Sequence, residues 1–241
     1  MNRNEGEASV GPIAGADLEM DLTGGIPAIA PLFDASQVYA MRRDFYLRIV
    51  KPFLDRVGGL VGLIVVSPVI AVVAMAILIT MGFPVILRQK RVGLFGKVFT
   101  LYKFRTMAPD RRGSAAGFVG DNRRLTHKSA NDPRITPLGR LLRRTRLDEL
   151  PQFINVLRGD LSLVGPRPEM VSIVAQYEPW QHRRHAVKPG ITGLWQISDT
   201  GDKLLFECTE MELEYLEYVS LSADLSIMLR TLPVMARRGG I

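Results

Sequence analysis

This chain of 241 residues has few cysteines and histidines, and it lacks a glycine-rich nucleotide-binding loop. The one cysteine, Cys208, excludes an intrachain disulfide, which agrees with a domain that faces the cytoplasm. Three histidines and one cysteine do not make the ligand set of a zinc site. No Walker loop and no Gly-x-Gly-x-x-Gly pattern occurs, so phosphate binding would have to rely on basic side chains and a metal ion.

Basic residues are almost missing from positions 1–40, which hold one arginine and six acidic residues, a net charge of −5. Because the whole chain carries +7, the remainder carries +12. The first 40 residues are rich in Gly, Pro and Ala and lack periodicity, so we predict a disordered acidic tail. The basic remainder suits lipid head groups or nucleotide diphosphates. We expect no nucleic-acid partner, since no recognition motif or aromatic platform accompanies the charge.

Charged residues are also absent from Val57 to Leu87, an apolar run bounded by Arg56 and Arg88. About 20 apolar residues suffice to cross a bilayer, so the run is long enough. Both of its flanks are basic, however, and basic flanks mark the cytoplasmic side of a membrane. The pattern favours a segment whose two ends lie on the cytoplasmic face, with a plain kinked transmembrane helix as the alternative. Residues 41–56 are basic and amphipathic and predict an interfacial stretch.

A Ser67-Pro68 pair lies near the centre of the run. Pro68 lacks a backbone donor, and its ring clashes with the carbonyl of Ile64. The Ser67 hydroxyl can reach that carbonyl. We therefore predict a re-entrant membrane helix hairpin within residues 41–87 that bends at Ser67 and Pro68.

The remaining residues, 88–241, predict a compact cytoplasmic catalytic domain that is mostly α with small β elements (α+β). Helical patterns cover residues 138–144, 148–157, 169–184, 207–218 and 222–235. Extended patterns cover 98–104, 161–164 and 194–197, and the polar stretch 108–132 predicts a long loop. His182 and His185 flank two arginines and predict a solvated basic helix face.

Two adjacent carboxylates, Asp148 and Glu149, precede Pro151. Proline is acceptable in the first turn of a helix and poorly tolerated in its interior, so a helix is predicted to begin at Asp148 as its N-cap. The positive end of that helix would favour the carboxylate form. One carboxylate could attack while the other holds a metal or moves a proton. On these residues alone, a capping aspartate beside a solvated glutamate is the alternative.

Arg167 lies between two prolines in Gly165-Pro166-Arg167-Pro168. A guanidinium that is held stiffly suits bidentate phosphate binding, although an arginine in a surface turn is the alternative. Further cations that could neutralise phosphates lie in residues 89–93, 102–107 and 143–146.

Taken together, these stretches resemble the bacterial sugar transferases, the monotopic phosphoglycosyl transferases. The matching stretches, in family order, are the Ser67-Pro68 hairpin and residues 88–93, 102–107, 132–136, 147–152, 159–168 and 188–193. The resemblance extends from about residue 48 to the C-terminus.

The resemblance implies an enzyme that moves a sugar 1-phosphate from a UDP-sugar to a polyprenyl (undecaprenyl) phosphate and releases UMP. It implies a membrane-bound protein of the bacterial inner membrane, with its catalytic domain in the cytoplasm, at the first membrane step of exopolysaccharide or other surface glycan assembly. Asp148 would be the nucleophile that forms an aspartyl-phosphosugar intermediate, and Glu149 would assist, with both near Mg²⁺. The residues implied in phosphate or substrate binding are Arg167, Arg143, Lys103, Arg105, Arg91 and Arg134.

The chain departs from the family pattern after Ser198, where Asp199-Thr200-Gly201-Asp202 replaces the usual Gly-Arg-Asn. Because the arginine of this family motif is missing, the identity of the sugar donor cannot be inferred from the family. Trp195-Gln196 nevertheless favours a hexose. A catalytically inactive membrane adaptor of the same fold is the alternative function. The oligomeric state is not predicted.

Overall fold

The computed structural model describes residues 44–108, 134–198 and 209–238. The tail predicted over 1–40, Cys208 and, apart from Ala108, the loop predicted over 108–132 lie outside these ranges. Within them the chain is mostly helical with two small sheets, which confirms the α+β class.

One long helix forms most of the apolar run. A π-helical turn, Tyr46–Val50, leads into helix α1, Lys51–Met81, which continues through Pro68. The Ser67 hydroxyl donates to the Ile64 carbonyl oxygen at 2.8 Å, as predicted. This bond provides a donor for the carbonyl that faces the proline ring.

Both ends of α1 contact the same globular domain. Near its start, Lys51 forms a buried ion pair with Asp224, and Asp55 accepts a hydrogen bond from Ser162 Oγ at 2.9 Å. Near its end, buried side chains of α1 join a core cluster of the domain, which contains Val73, Ile77, Phe104 and Leu142. The helix is thus held to one body at two separated places.

The part of α1 between these anchors presents apolar side chains to the surroundings. Those more than half exposed are Leu60, Val61, Ile64, Val65 and Val72. Together with its lead-in turn, α1 is the one helix of the described residues that is long and apolar enough to cross a membrane by length and composition. Such exposure is unusual for a protein surrounded by water and is typical of a surface that a membrane or another protein covers.

The end of α1 falls before the end of the apolar run. Gly82 adopts a positive φ of 69°, which favours glycine, and Pro84 follows it. Residues 86 and 87, predicted to belong to the membrane segment, begin strand β1 instead, which spans Ile86–Val92. Polar residues fill the middle of β1, so its sequence does not predict a strand. Pairing on both sides stabilises it.

Strand β1 is the centre of an antiparallel sheet with the order β2-β1-β4, in which β2 spans Val98–Phe104 and β4 spans Glu169–Met170. Strands β3, Ser162–Val164, and β5, Gly190–Thr192, form a parallel pair. The remaining helices are α2 (Pro137–Arg144), α3 (Gln152–Arg158), α4 (Val171–Val174), α5 (Leu194–Ile197), α6 (Thr209–Glu217) and α7 (Leu221–Arg238). Short 3₁₀ turns cover Leu94–Gly96, Leu147–Glu149 and Pro179–Ala186.

Several predicted elements are confirmed: strand 98–104, helix 138–144, the extended piece 161–164 and the two C-terminal helices. The single helix predicted over 169–184 is wrong. Glu169 pairs with Val92 in the sheet, and Pro179, which lacks an N–H, starts a separate 3₁₀ segment. Residues 194–197 form a short helix rather than an extended piece.

Helix α3 packs closely against the first half of α1. A Cβ atom on Gly59 would lie 2.9 Å from Val156 Cγ1, and one on Gly62 would lie 2.4 Å from a carbon of Phe153. Any larger residue at these two positions would push the helices apart. The close contact fixes the residues that precede α3 next to the long apolar helix.

Candidate active site

The acidic pair lies on the 3₁₀ turn Leu147–Glu149, not at the start of a helix. Helix α3 begins at Gln152 with Pro151 as its N-cap residue, so the prediction that Asp148 is the N-cap is wrong. Pro151, with its fixed φ and no N–H, is suited to the entry of α3, which leaves the preceding residues to a separate tight turn. Leu147 and Leu150 pack into the cluster of α1 side chains around Val73 and Ile77. The turn is thus placed directly beside the long helix.

Glu149 is held by two arginines. Arg167 Nη2 donates to Glu149 Oε1 at 2.6 Å, and Arg146 Nη1 lies 3.8 Å from Oε2. Arg146 adopts a positive φ of 56°, which turns the chain into the acidic pair. Burial alone would raise the pKa of Glu149, but Arg167 and Arg146 outweigh it and lower this pKa. Glu149 is therefore a paired carboxylate.

The pKa of Asp148 is shifted in the opposite direction to that of Glu149. Its side chain is 9% exposed, and burial, followed by the charge of Glu149, raises its pKa to about 6. Lys103, Arg167 and Arg143 offset part of this rise. The predicted stabilisation of the charged form by a helix start is wrong, since desolvation and a neighbouring carboxylate decide the pKa. The two carboxylates are thus suited to different tasks.

Three further cations surround the pair. Burial lowers the pKa of Lys103 to about 8 and that of Arg91 to about 10, and both groups act on Glu149 through their charge. Arg143 donates from Nε to Thr106 Oγ1 at 2.9 Å and lowers the pKa of Asp148. The structure therefore brings Lys103, Arg91, Arg143 and Arg167 to the acidic pair, and their role in phosphate or substrate binding stays a prediction.

Arg105 and Arg134 occupy other places. Arg105 donates to the carbonyl oxygens of Phe83 at 2.9 Å and Gly82 at 2.7 Å, at the end of α1. Arg134 lies at the Met107–Ile135 bridge, where its carbonyl oxygen accepts from Ala108 N at 2.9 Å. Arg105 thus ties the end of the long helix to the domain, and a role in phosphate binding for either arginine stays a prediction.

The loop that carries Arg167 is bound along its length. Gly165 N donates to Thr192 O at 2.9 Å, and Gly190 N donates to Pro166 O at 2.8 Å. Arg91 Nη1 donates to Pro168 O at 3.2 Å. These hydrogen bonds hold the loop in addition to the backbone restriction that its two prolines impose. The Arg167 guanidinium carbon lies 5.9 Å from the centre of the Trp195 ring, which gives the cation an aromatic support.

Known proteins match this chain over most of its length. The family model described as bacterial sugar transferase matches residues 46–238. The chain belongs to this family. It is 40% identical over 201 residues to "Galactosyl transferase CpsE" of Streptococcus agalactiae serotype III (strain NEM316), a match that covers 82% of the chain and 44% of the relative. It is 38% identical over 216 residues to "UDP-glucose:undecaprenyl-phosphate glucose-1-phosphate transferase" of Escherichia coli K12, covering 86% and 43%.

A shorter member of the bacterial sugar transferase family matches over most of its own length. "Exopolysaccharide production protein ExoY" of Sinorhizobium fredii is 33% identical over 196 residues, which are 79% of the chain and 87% of that relative. The chain spans less than half the length of the two longer relatives.

The family resemblance did not predict every residue that builds the site. The sequence implicates Trp195 only in donor preference, and it predicts a helix at Glu169, which pairs with Arg91 at 3.4 Å. His182, Arg184 and His185 are buried, so the solvated basic face predicted for this segment is wrong. Their 3₁₀ segment packs against α6 and the turn Leu94–Gly96, and helical periodicity does not reveal these contacts.

The acidic pair offers two adjacent carboxylates to the predicted divalent cation. In residues 44–108, 134–198 and 209–238, no group of three or more His, Cys, Asp or Glu side chains could hold a metal ion. Mg²⁺, however, is commonly bound by one or two carboxylates together with substrate phosphates. Asp148 and Glu149 are adjacent, and their repulsion raises the pKa of Asp148. A cation bound at Asp148 would relieve this repulsion.

Proposed function

We propose that this bacterial sugar transferase moves a sugar 1-phosphate from a UDP-sugar to a polyprenyl phosphate and releases UMP. The observation that carries the proposal is the Asp148-Glu149 pair. Asp148 is buried, and the pair lies among cations on a turn packed against the long apolar helix. A charged donor and a lipid-linked acceptor could meet at such a place.

The reaction proceeds in two displacements. An Asp148 carboxylate oxygen attacks the sugar-linked phosphorus, a new O–P bond forms, and the P–O bond to UMP breaks with its electron pair on UMP. A phosphate oxygen of the lipid then attacks the same phosphorus and returns the carboxylate of Asp148. A carboxylate nucleophile divides one difficult transfer into two easier ones. Because Glu149 is paired with Arg167 at 2.6 Å, it is less available to attack.

The cations around the pair offset the negative charge of the reacting phosphates. Arg167 offers a planar fork supported by Trp195, and Lys103 and Arg143 act on Asp148. Preorganised cations stabilise charge that develops in a transition state. Asp148, with Glu149 beside it, would hold Mg²⁺, which when bound supplies further positive charge on the diphosphate.

The long helix α1 lies in the cytoplasmic membrane as a re-entrant element with the catalytic domain in the cytoplasm. Support comes from its two anchors on one body, Lys51 with Asp224 near its start and the Val73–Ile77 cluster near its end. A helix that crossed the bilayer straight would carry these anchors to opposite faces. Basic residues at both ends support the same orientation.

The donor is a UDP-hexose, and the product enters exopolysaccharide or another surface glycan. Support comes from the names of relatives, which include a glucose-1-phosphate transferase, a galactose phosphotransferase and an exopolysaccharide production protein. A screen of UDP-sugars with undecaprenyl phosphate and Mg²⁺ tests the proposal through UMP release. Release with a UDP-hexose supports it. No release with any UDP-sugar would favour the inactive membrane adaptor.

A further inference from the structure

We infer that Arg184 and Glu212 are positioning residues for Arg167, which they hold by its backbone. This inference deepens the proposed function, because it concerns the guanidinium to which that function assigns phosphate binding. Neither residue contacts the acidic pair through a described hydrogen bond.

Both backbone groups of Arg167 are bound by this one pair of side chains. The Arg167 N–H donates to Glu212 Oε1 at 2.8 Å, and the Arg167 carbonyl oxygen accepts from Arg184 Nη2 at 2.6 Å. Arg184 and Glu212 also form an ion pair with each other, and each is only 2% exposed. A second nitrogen of Arg184 donates to the Tyr177 hydroxyl, which fixes the plane of the guanidinium.

Arg167 is the residue of this loop whose peptide groups depend on Arg184 and Glu212 for hydrogen bonds. Gly165 and Pro166 are bonded to the backbone of β5 and its neighbours, and the carbonyl oxygen of Pro168 accepts from Arg91. The peptide groups of Arg167 bond to side chains instead. Without Arg184 and Glu212, a partly buried N–H and a partly buried carbonyl would lose their partners, which is costly and would favour another loop conformation.

The orientation of the Arg167 side chain depends on that backbone. Its guanidinium reaches Glu149 Oε1 at 2.6 Å and lies over Trp195, and a small rotation of the backbone would move it from both. A buried ion pair adds little net stability compared with apolar residues of the same volume. Positioning of the loop is a function that Arg184 and Glu212 can serve and that apolar residues could not.

Trp195 provides a readout of the Arg167 position that does not depend on activity. The chain has two tryptophans, and Trp180 is 40% exposed, so Trp180→Phe leaves Trp195 as the single tryptophan, whose emission can be excited selectively over that of the tyrosines. In this background we would compare the full chain in detergent micelles with Arg184→Lys and Glu212→Gln. Both changes keep size and lose one feature, the planar fork or the charge.

Matched controls lie on the same two elements. Arg183→Lys and Glu214→Gln make the same chemical changes at exposed positions. We expect the controls to leave both the emission maximum of Trp195 and kcat/KM for UDP-hexose turnover unchanged. We expect Arg184→Lys and Glu212→Gln to shift the emission as Arg167→Ala does and to lower kcat/KM about 10- to 100-fold, the loss expected for a charge-assisted hydrogen bond.

The decisive comparison repeats both changes in the Arg167→Ala background. If the pair acts through Arg167, neither change shifts the emission further, and each lowers kcat/KM about twofold or less. Equal losses in both backgrounds, or lost activity with unchanged emission, would overturn the inference. Should a single variant fail to fold, the double variant Arg184→Met/Glu212→Leu, which removes both charges, carries the same comparison. If the wild type turns over no UDP-sugar, the proposed function fails, and the emission comparison alone decides the positioning role.

Discussion

Replacement of the nucleophile should make the protein more stable. Asp148 is buried beside Glu149, and its pKa lies at about 6 rather than at the ordinary 3.8. The charged form is therefore disfavoured in the folded state, since burial and repulsion outweigh the attraction of Lys103, Arg167 and Arg143. Asp148→Asn keeps the shape and removes the charge. We expect a higher free energy of unfolding at neutral pH together with the loss of UMP release.

The magnitude follows from the two pKa values. The difference between 3.8 and about 6 corresponds to at most about 3 kcal/mol above pH 6, at about 1.36 kcal/mol for each unit of pKa. Because Asp148 titrates together with Glu149, we expect about 2 kcal/mol. For a domain of this size, that raises the midpoint of thermal unfolding by about 4–8 °C.

The gain in stability from Asp148→Asn should increase with pH. A folded pKa above the unfolded value means that the folded wild type loses stability as pH rises from 3.8 to about 6. Asp148→Asn lacks this loss, so its advantage should be full at pH 7.5 and should shrink toward zero as pH falls to 3.8. The assay is thermal unfolding of the full chain in micelles at both pH values, with the exposed Glu214→Gln as the control. A variant that is equally or less stable than the wild type at pH 7.5 would refute the reasoning.

Three further perturbations test other parts of the site. Glu149→Gln should destabilise the fold by about 1–3 kcal/mol at pH 7, because it weakens the bonds to Arg167. This loss of stability should vanish in acid, where Glu149 of the wild type is protonated, and thermal unfolding measured against pH checks this. The profile of kcat/KM against pH should rise through about 6, as Asp148 is deprotonated, and fall above about 8, as Lys103 loses its proton; a flat profile from pH 5 to 9 would contradict these assignments. Arg105→Lys should lower the midpoint of unfolding and leave KM for the donor within about twofold, because Arg105 binds the carbonyls at the end of α1; a large rise in KM with unchanged stability would instead support phosphate binding.

The sequence predicts features that depend on local chemistry. The bond from Ser67 to Ile64 follows from what a proline does to a helix, and the stiff Arg167 loop follows from its two prolines. Strand β2 buries Phe99, Leu101 and Phe104, as its apolar pattern indicates. The set of cations around Asp148 came from the family resemblance rather than from spacing, because residues so far apart in the chain give no local sign of their contact.

The features that the sequence does not predict depend on tertiary partners. Strand β1 has a polar centre and forms because β2 and β4 bind it from both sides. Arg184 and His185 look like solvated residues in the sequence, but both are buried. Arg184 contacts the Arg167 carbonyl and Glu212, and the His185 ring lies against Tyr177 and His182. The pKa of Asp148 likewise depends on burial and on its neighbours. The helix start that the local sequence predicts would instead have lowered this pKa.

The central claim is that Asp148 carries the phosphosugar between donor and acceptor. The most direct measurement is mass spectrometry of the intact chain and its peptides after incubation with a UDP-hexose and Mg²⁺ and without polyprenyl phosphate. We expect UMP release equal to the amount of enzyme and a sugar-phosphate adduct on the peptide that contains Asp148. Asp148→Asn should give neither, and later addition of polyprenyl phosphate should remove the adduct. UMP release that requires the acceptor from the start, with no adduct in the wild type, would contradict the covalent route and favour direct attack by the lipid phosphate.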